Sequence, residues 1–490
     1  MSDVVNDSIA VAEPEQDTGL RKNALGLSEV LFQSITSMAP AAAVATSLTP
    51  AIPLAGAALP LAVLLATVAC ALIAACIGQL AIHIPSAGGL YTYISRSLGT
   101  KLGFLSAWIF LLAQPLLLPL ISLVWGPYLE DLVKTLTGVD ISWIIWAIIG
   151  HVLLFALTYY GIKISADVSV ILGALEMIII ALSITMIVSA GHGNNLSTFT
   201  PVFSPTGWGG IFQGIIFVFL AFVGFEACAP LGEETANPKR NIPRAIIYSA
   251  IGIGLFYVLA SYAGVVGWGI PHIQGYAGSA TPWADLAKKF WGTIGPVIIT
   301  FAIINSAFGN GNAGINASSR VIYAMGRIGT LPSGFARLST HRTPVVAISI
   351  HIGISLVLSI ATGLFFGVSI AFGLLGAILT VGLLLLYFAS CVSTFVFYLR
   401  ERRQEFRILQ HVIVPIIPLV ILCFVLAAQV YPIPAYPFNL TVPIIVVWLL
   451  LGIGYLVYLQ RTRPLALERG KEMFLKDLEP EPVDLVRTLL

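Results

Sequence analysis

Few side chains in this sequence can do chemistry, and the ones that can stand in unusual places. Glu176 lies in the middle of one long apolar run. Glu226 lies in another, Phe219-Leu-Ala-Phe-Val-Gly-Phe-Glu-Ala-Cys-Ala-Pro230. His151 is inside a third, and Glu29 stands at the mouth of a fourth. An ionised group in hydrocarbon is costly, so an intramembrane acid is a functional candidate by default. Such an acid can exchange a proton, bind a cation, or hydrogen-bond freed backbone as a purely structural group. The isolated His151 reads as a buried histidine satisfied by its neighbours.

Polar and helix-breaking residues form a second set. Pro40 interrupts the run Ser34-Ile-Thr-Ser-Met-Ala-Pro-Ala-Ala-Ala-Val44. It cannot donate to a helix ladder and it clashes with the preceding turn. Gly224 and Pro230 bracket a weak stretch around Glu226. Broken helices at matching places in two halves of a membrane protein are the best sequence pointer to a transporter's binding site. Unwinding frees N–H groups that suit an anionic group and carbonyls that suit a cationic one, so a zwitterion or an amine fits such a site. The competing reading is that Pro and Gly only kink or pack these helices. Asn305, Gly309, Asn312 and Asn316 recur at helical spacing, with Ser306, Asn310 and Ala313 beside them. That stripe must face protein or a cavity: either helix packing or the lining of an ion or solute path. Gln114, next to Pro115 in a Leu-rich run, can serve a solute or a neighbouring helix.

The elements that position these residues are membrane helices. The chain of 490 residues is 58% hydrophobic and 10% charged, with a mean hydropathy of +0.94. A soluble chain would carry roughly 25% charged residues. The lipid bilayer is therefore its solvent. At about 20 apolar residues per span, spans fall near 28–50, 59–82, 101–125, 142–160, 168–189, 211–231, 245–268, 295–318, 345–363, 369–397, 412–430 and 440–459. Residues 1–25 read as a disordered tail without a signal peptide, and 461–490 as a second charged tail. With the N-terminus inside, only Lys134, Lys288 and Lys289 of the 25 Lys and Arg residues fall in outside segments. The positive-inside rule thus places both tails in the cytoplasm. Breaks in spans 1 and 6, five spans apart, suit an inverted repeat of spans 1–5 and 6–10 with two helices appended.

Other classes find little support. The net charge of +2 gives no reason to expect nucleic acid as a partner. Cys70, Cys76, Cys228, Cys391 and Cys423 lie in apolar runs without metal-ligand spacing, and the seven histidines are scattered. No cluster of nucleophile, histidine and acid suggests an enzyme, and nothing implies a cofactor. A transporter-like nutrient sensor would need a long structured cytoplasmic extension, and these tails are short. The sequence is silent on oligomeric state.

Three motifs carry a resemblance. They are Ile84-Pro-Ser-Ala-Gly-Gly-Leu-Tyr-Thr-Tyr93; Gly224-Phe-Glu followed by Gly232-Glu-Glu-Thr-Ala-Asn-Pro-Lys-Arg-Asn-Ile-Pro-Arg244; and Asn316-Ala-Ser-Ser-Arg-Val-Ile-Tyr-Ala-Met-Gly-Arg327 with Gly329 and Leu331-Pro332. In order and placement they resemble the amino acid–polyamine–organocation transporters over about 25–460. The resemblance implies an all-α polytopic membrane protein of the LeuT-like fold: a 5+5 inverted repeat plus two helices, 12 transmembrane helices, with a transporter domain over 26–460. It implies secondary transport of amino acids or related amines by alternating access, proton-coupled or exchanging, with polyamine or 4-aminobutyrate permeases as the alternative. The substrate carboxylate would lie on Ser37, Met38, Ala39, Pro40 and Ala41. The amino group would lie on carbonyls of Ala221, Phe222 and Val223 at the Gly224 break. Gln114 is a further candidate, and Phe219, Phe222 or Phe225 would be the lid.

Two departures from the family pattern matter. Many permeases carry a Gly-Ser/Thr-Gly run in span 1, where this chain has Met38-Ala-Pro-Ala-Ala42. Some proton-linked relatives carry a lysine in span 5 where this chain has Glu176. The candidates for proton or sodium coupling are Glu176, Glu226, Asn305 and Ser306. Thr281-Pro282 is expected to open an outer-loop helix through Trp283 to Phe290, by the preference of proline for a first helical turn.

Overall fold

A computed structural model describes residues 19–279, 281–431 and 433–470. Most of the two expected tails, 1–18 and 471–490, lies outside the described residues. Leu20 and Leu25 are nonetheless buried. Leu25 forms an isolated bridge with Thr235, so the packed part begins before residue 26.

Among the described residues the architecture is helical. Nine helices are long and apolar enough to cross a membrane, and Trp143–Tyr159 and Trp208–Phe222 are shorter apolar helices. The remaining apolar segment is broken into Leu27–Ser37 and Pro40–Thr46. We keep the span numbers of the sequence reading. Span 1 is this broken pair. Span 2 is Leu59–His83, span 3 Thr100–Ala113 with Leu117–Thr137, span 4 Trp143–Tyr159, and span 5 Ile162–Leu175 with Ile178–Ala190. Spans 6 to 10 are Trp208–Phe222, Pro238–Trp268, Gly295–Ile328, Val345–Phe366 and Val368–Arg400. Spans 11 and 12 are Val414–Ala428 and Thr441–Thr462.

The packing repeats with an offset of five. Span 1 packs on span 7 as span 6 packs on span 2. Span 3 packs on span 10 as span 8 packs on span 5. Spans 3 and 4 pair as do 8 and 9, while the equivalent spans 2 and 7, 3 and 8, and 4 and 9 contact one another directly. Two similar halves wrapped around each other give this pattern. Spans 2 and 7 approach closely: a Cβ on Gly254 would stand 2.3 Å from Thr67 Cγ2. Small residues are what let membrane helices come this near.

Sequence chemistry explains the breaks. A residue before proline is pushed out of the helical region, and Ala39, which precedes Pro40, has φ 47° and ψ 60°. Left-handed backbone costs a non-glycine residue about 1–2 kcal/mol, so surrounding contacts must hold it. In span 6 the helix ends at Phe222, and Gly224 has φ +113°. Only a 3₁₀ turn, Ala229–Leu231, follows before span 7. The second half of span 6, where the sequence places a weak stretch between Gly224 and Pro230, is thus irregular. Span 5 is interrupted as well, against the expectation of one helix over 168–189. Around Glu176 the hydrogen bonds tighten to the i→i+3 type, with Ile179 N donating to Glu176 O and Ile180 N to Met177 O. No proline marks that turn.

The arginine-rich end of the bundle is closed by ion pairs. Glu29 bonds Lys163, Arg327 pairs with Glu233 at 2.6 Å, and Arg320 pairs with Glu234 at 2.9 Å with both side chains inaccessible. Arg320 also donates to Asn316 O and Oδ1. Removing one partner of a buried pair leaves an uncompensated charge, which costs about 3–5 kcal/mol. Arg320→Met is therefore expected to lower the melting temperature in detergent strongly, and Arg320→Met with Glu234→Leu to recover most of the loss. A single variant that melts like the parent would remove this pair from the stabilising contacts.

The opposite end carries the outer-loop helix, Pro282–Trp291. Thr281 precedes it without a side-chain cap; Ser279 instead accepts from Thr281 N and donates to Asp285.

Candidate functional site

The two breaks meet. A Cβ on Gly224 would stand 2.4 Å from Ser37 Oγ and 2.7 Å from Ser37 O. Unwound backbone at membrane depth must find partners, and here side chains from three other spans supply them. Tyr257 of span 7 shares its hydroxyl proton between Met38 O at 2.7 Å and Ala221 O at 2.8 Å, so it ties one break to the other. Asn310 of span 8 donates to Ser37 O at 2.6 Å. Glu176 of span 5 accepts from Ala41 N at 3.4 Å and from Ser306 Oγ at 2.7 Å. Ser306 Oγ in turn accepts from Ala42 N at 3.1 Å.

The N–H groups of the first break can be accounted for one by one. Met38 N donates to Ser34 O and Ile35 O, Ala39 N to Thr36 O, and Ala43 N to Ala39 O. Pro40 has none. Ala41 and Ala42 are held by Glu176 and Ser306. The donors that the family resemblance assigns to a substrate carboxylate are therefore occupied by the protein's own carboxylate and hydroxyl. Ser37 Oγ, Asn310 Oδ1 and Glu176 Oε1 are buried without a hydrogen-bond partner; the amide and carboxylate oxygens can accept, and the serine hydroxyl can donate or accept.

A small cavity of about 20 Å³ adjoins this junction. That is room for about one water. Met38, Ala39, Val223 and Asn310 line it from the breaks and span 8, Leu117, Leu120 and Ile121 from span 3, and Phe372 from span 10. Thr46 and Phe372 also line two larger cavities, of about 410 and 520 Å³, toward the end opposite the arginines. Phe372 thus stands as the wall between the central cavity and the outer ones.

The sequence candidates divide accordingly. Ser37 to Ala41, Ala221, Val223 and Gly224 form the junction, and Glu176 and Ser306 cap its helical half. Phe219, Phe222 and Phe225 are buried but do not line the cavity. Phe222 stands edge-on to Tyr257 and Phe225 packs on Tyr387. Glu226 accepts from the Tyr387 hydroxyl at 2.7 Å, with Oε1 unpartnered. Gln114 is buried with both amide atoms unpartnered, and it opens a 3₁₀ turn rather than lining the cavity. Asn305 donates to Leu172 O of span 5. Asn312 and Asn316 bond Ser165, and Asn312 also Ser169. Most of the polar stripe is therefore a clamp between spans 8 and 5, with Asn310 turned to the break. His151 bonds Ala147 O and Ser355, as expected of a satisfied histidine. No group of three or more His, Cys, Asp or Glu suited to a metal occurs among the described residues.

Tyr257, Phe372 and Tyr387 were not singled out by sequence reasoning. Tyrosine and phenylalanine in a membrane helix carry no periodic signal, and their roles appear only when distant spans meet.

The pattern of the amino acid permease family matches residues 25–458. The chain belongs to that family. It is an integral membrane protein. It is 30% identical over 264 residues to an uncharacterized amino acid permease, YecA, of Bacillus subtilis strain 168, covering 53% of this chain and 59% of that protein. It is 28% identical over 318 residues to the branched-chain amino acid permease BcaP of the same organism, covering 60% and 65%. A low-affinity putrescine importer, PlaP, of Escherichia coli K12 is 27% identical over 272 residues, covering 53% and 57%. The chain thus spans about six tenths of the length of the curated relatives it matches.

Tyr257 is the side chain that joins the two breaks directly. Tyr257→Phe leaves two buried carbonyls sharing no donor, at a cost of about 1–3 kcal/mol. Uptake by this variant is expected to show a raised KM with surface expression unchanged. An unaltered KM would mean that the tyrosine serves stability alone.

Proposed function

We propose that the protein is a twelve-span secondary transporter, with both tails cytoplasmic, that moves an amino acid or related amine of small apolar body by alternating access. The observation that carries this reading is the junction of two broken spans beside a cavity with an apolar wall and acceptor atoms. An ammonium group suits Asn310 Oδ1, and an apolar body suits Leu117, Leu120, Ile121 and Phe372. At about 20 Å³ the cavity must widen to admit any such solute, and displacement of Phe372 toward the outer cavities would widen it.

A carboxylate on the substrate would compete with Glu176 for the amides of Ala41 and Ala42. Two anions at one set of donors repel each other, so protonation of Glu176 would favour binding of a zwitterion. Substrate and proton would then travel together. Glu226 is a second candidate for the proton, with Tyr387 as its partner. The relatives support the same class, since their names include branched-chain amino acid and putrescine carriers. A polyamine is the weaker reading, because the residues that line the cavity include no acid to hold a second ammonium.

Uptake into proteoliposomes of a panel of labelled amino acids and amines, with and without a pH gradient, tests the proposal. Accumulation of small apolar amino acids or monoamines driven by an inward proton gradient is expected. Transport restricted to polyamines or to large polar solutes would overturn the substrate assignment.

A further inference from the structure

A third large cavity lies far from the breaks, at the arginine-rich end. It measures about 510 Å³, and its walls come from spans 2, 7, 10 and 11 and from the loop after span 10. Spans 7 and 11 both pack on span 2, which forms the floor through Gly78, Gln79 and Ile82. Lys239, Arg240 and Arg244 line it from the start of span 7, and Arg407 from the loop. Glu405 is the acid of this lining, and it is engaged by Arg402 at 3.2 Å and by His83 at 3.5 Å. Cations therefore outnumber acids, and the Nε of Arg244 is buried without a hydrogen-bond partner. A buried guanidinium N–H left unpaired in a protein is costly, and an anionic oxygen would relieve it.

The cavity continues onto lipid-facing surface. Tyr248 lines it, and Ile251 and Leu255, on the same face of span 7, are exposed. On span 11, Gln410 and Val414 line it, and Ile413 and Ile417 are exposed one turn on. A polar, cationic mouth thus runs into an apolar groove directed along the bilayer. Soluble anions would match the mouth alone. A phospholipid matches both parts, and basic pockets between spans are established sites for acidic headgroups.

We propose that this groove between spans 7 and 11 binds an anionic phospholipid, with its phosphate against Arg244 and Arg407 and an acyl chain along Ile251, Leu255 and Ile417. Occupancy would tie span 7, which carries Tyr257, to the peripheral span 11. The site is independent of the substrate reading.

The test uses the full-length protein, delipidated in detergent, titrated with dioleoylphosphatidylglycerol or dioleoylphosphatidylcholine and followed by native mass spectrometry and thermal melting. The phosphatidylglycerol is expected to bind at least about tenfold more tightly and to raise the melting temperature, since each basic side chain near an acidic headgroup adds appreciably to binding. Arg244→Gln with Arg407→Gln is expected to erase the preference, and Arg407→Gln alone, at an exposed position, to reduce it without risk to folding. Equal binding of the two lipids overturns the proposal, as does an unchanged preference in both variants. Stabilisation by glycerol phosphate to the same degree as by the lipid would reassign the mouth to a soluble anion and overturn the lipid assignment.

Discussion

Gly224→Val is expected to abolish substrate binding and transport while the protein still inserts in the membrane. Two separate penalties act at this position. The backbone of Gly224 has φ +113°, a conformation that side-chain-bearing residues avoid and β-branched ones tolerate least. The added Cβ would also fall 2.4 Å from Ser37 Oγ and 2.8 Å from the Ser37 carbonyl carbon. That neighbour is backbone of the other break and cannot rotate aside. Backbone strain of about 1–2 kcal/mol and overpacking of about 1–3 kcal/mol together correspond to roughly thirtyfold or more in an equilibrium. The cost falls on the arrangement in which Gly224 touches Ser37. Gly252→Ala is the control: it lies in the following span with open space around it, and it should transport normally. Binding of a labelled substrate, measured beside surface expression, checks both. Normal affinity in Gly224→Val would show that the two breaks do not close on each other during the cycle.

How much of this could be read from the residues varies with the physics involved. Pro40 and Gly224 announce their breaks because proline lacks a donor and glycine alone favours positive φ. The turn at Glu176 is silent, since Gly173 is its nearest breaker and its cause is tertiary: the carboxylate reaches the amide of Ala41, 135 positions earlier in the chain. The asparagine stripe was visible as a helical face, but its spacing could not tell which neighbour it met. Asn312 and Asn316 turn to Ser165, whereas Asn310, one position out of the stripe, reaches Ser37. The aromatic wall is the clearest gap. The resemblance offered Phe219, Phe222 or Phe225 as a lid, and the ring that lines both the central and the larger cavities is Phe372 of span 10, a residue in an unremarkable apolar run.

Glu176→Gln is expected to transport substrate with no response to an imposed pH gradient. The substitution is nearly isosteric, and the glutamine oxygen can still accept from Ser306 and from Ala41 N. The cap on the second half of span 1 is therefore kept, and folding should be unaffected. What is lost is the charge. In the parent, an ionised Glu176 holds the amides of Ala41 and Ala42 directly and through Ser306, and a substrate carboxylate must approach the same donors against it. Proton uptake removes that repulsion, so binding of a zwitterion and of a proton favour one another, as linkage requires of any two mutually dependent ligands. With glutamine the repulsion is absent at every pH. Zwitterion affinity in the variant should match that of the protonated parent, while counterflow exchange of labelled substrate persists with no gradient. An amine without a carboxylate supplies the internal comparison, since it never competes for those amides and its uptake should change little. If the variant still accumulates a zwitterion in response to a pH gradient, the coupling proton is carried elsewhere. Glu226, bonded to Tyr387, is then the acid to replace next.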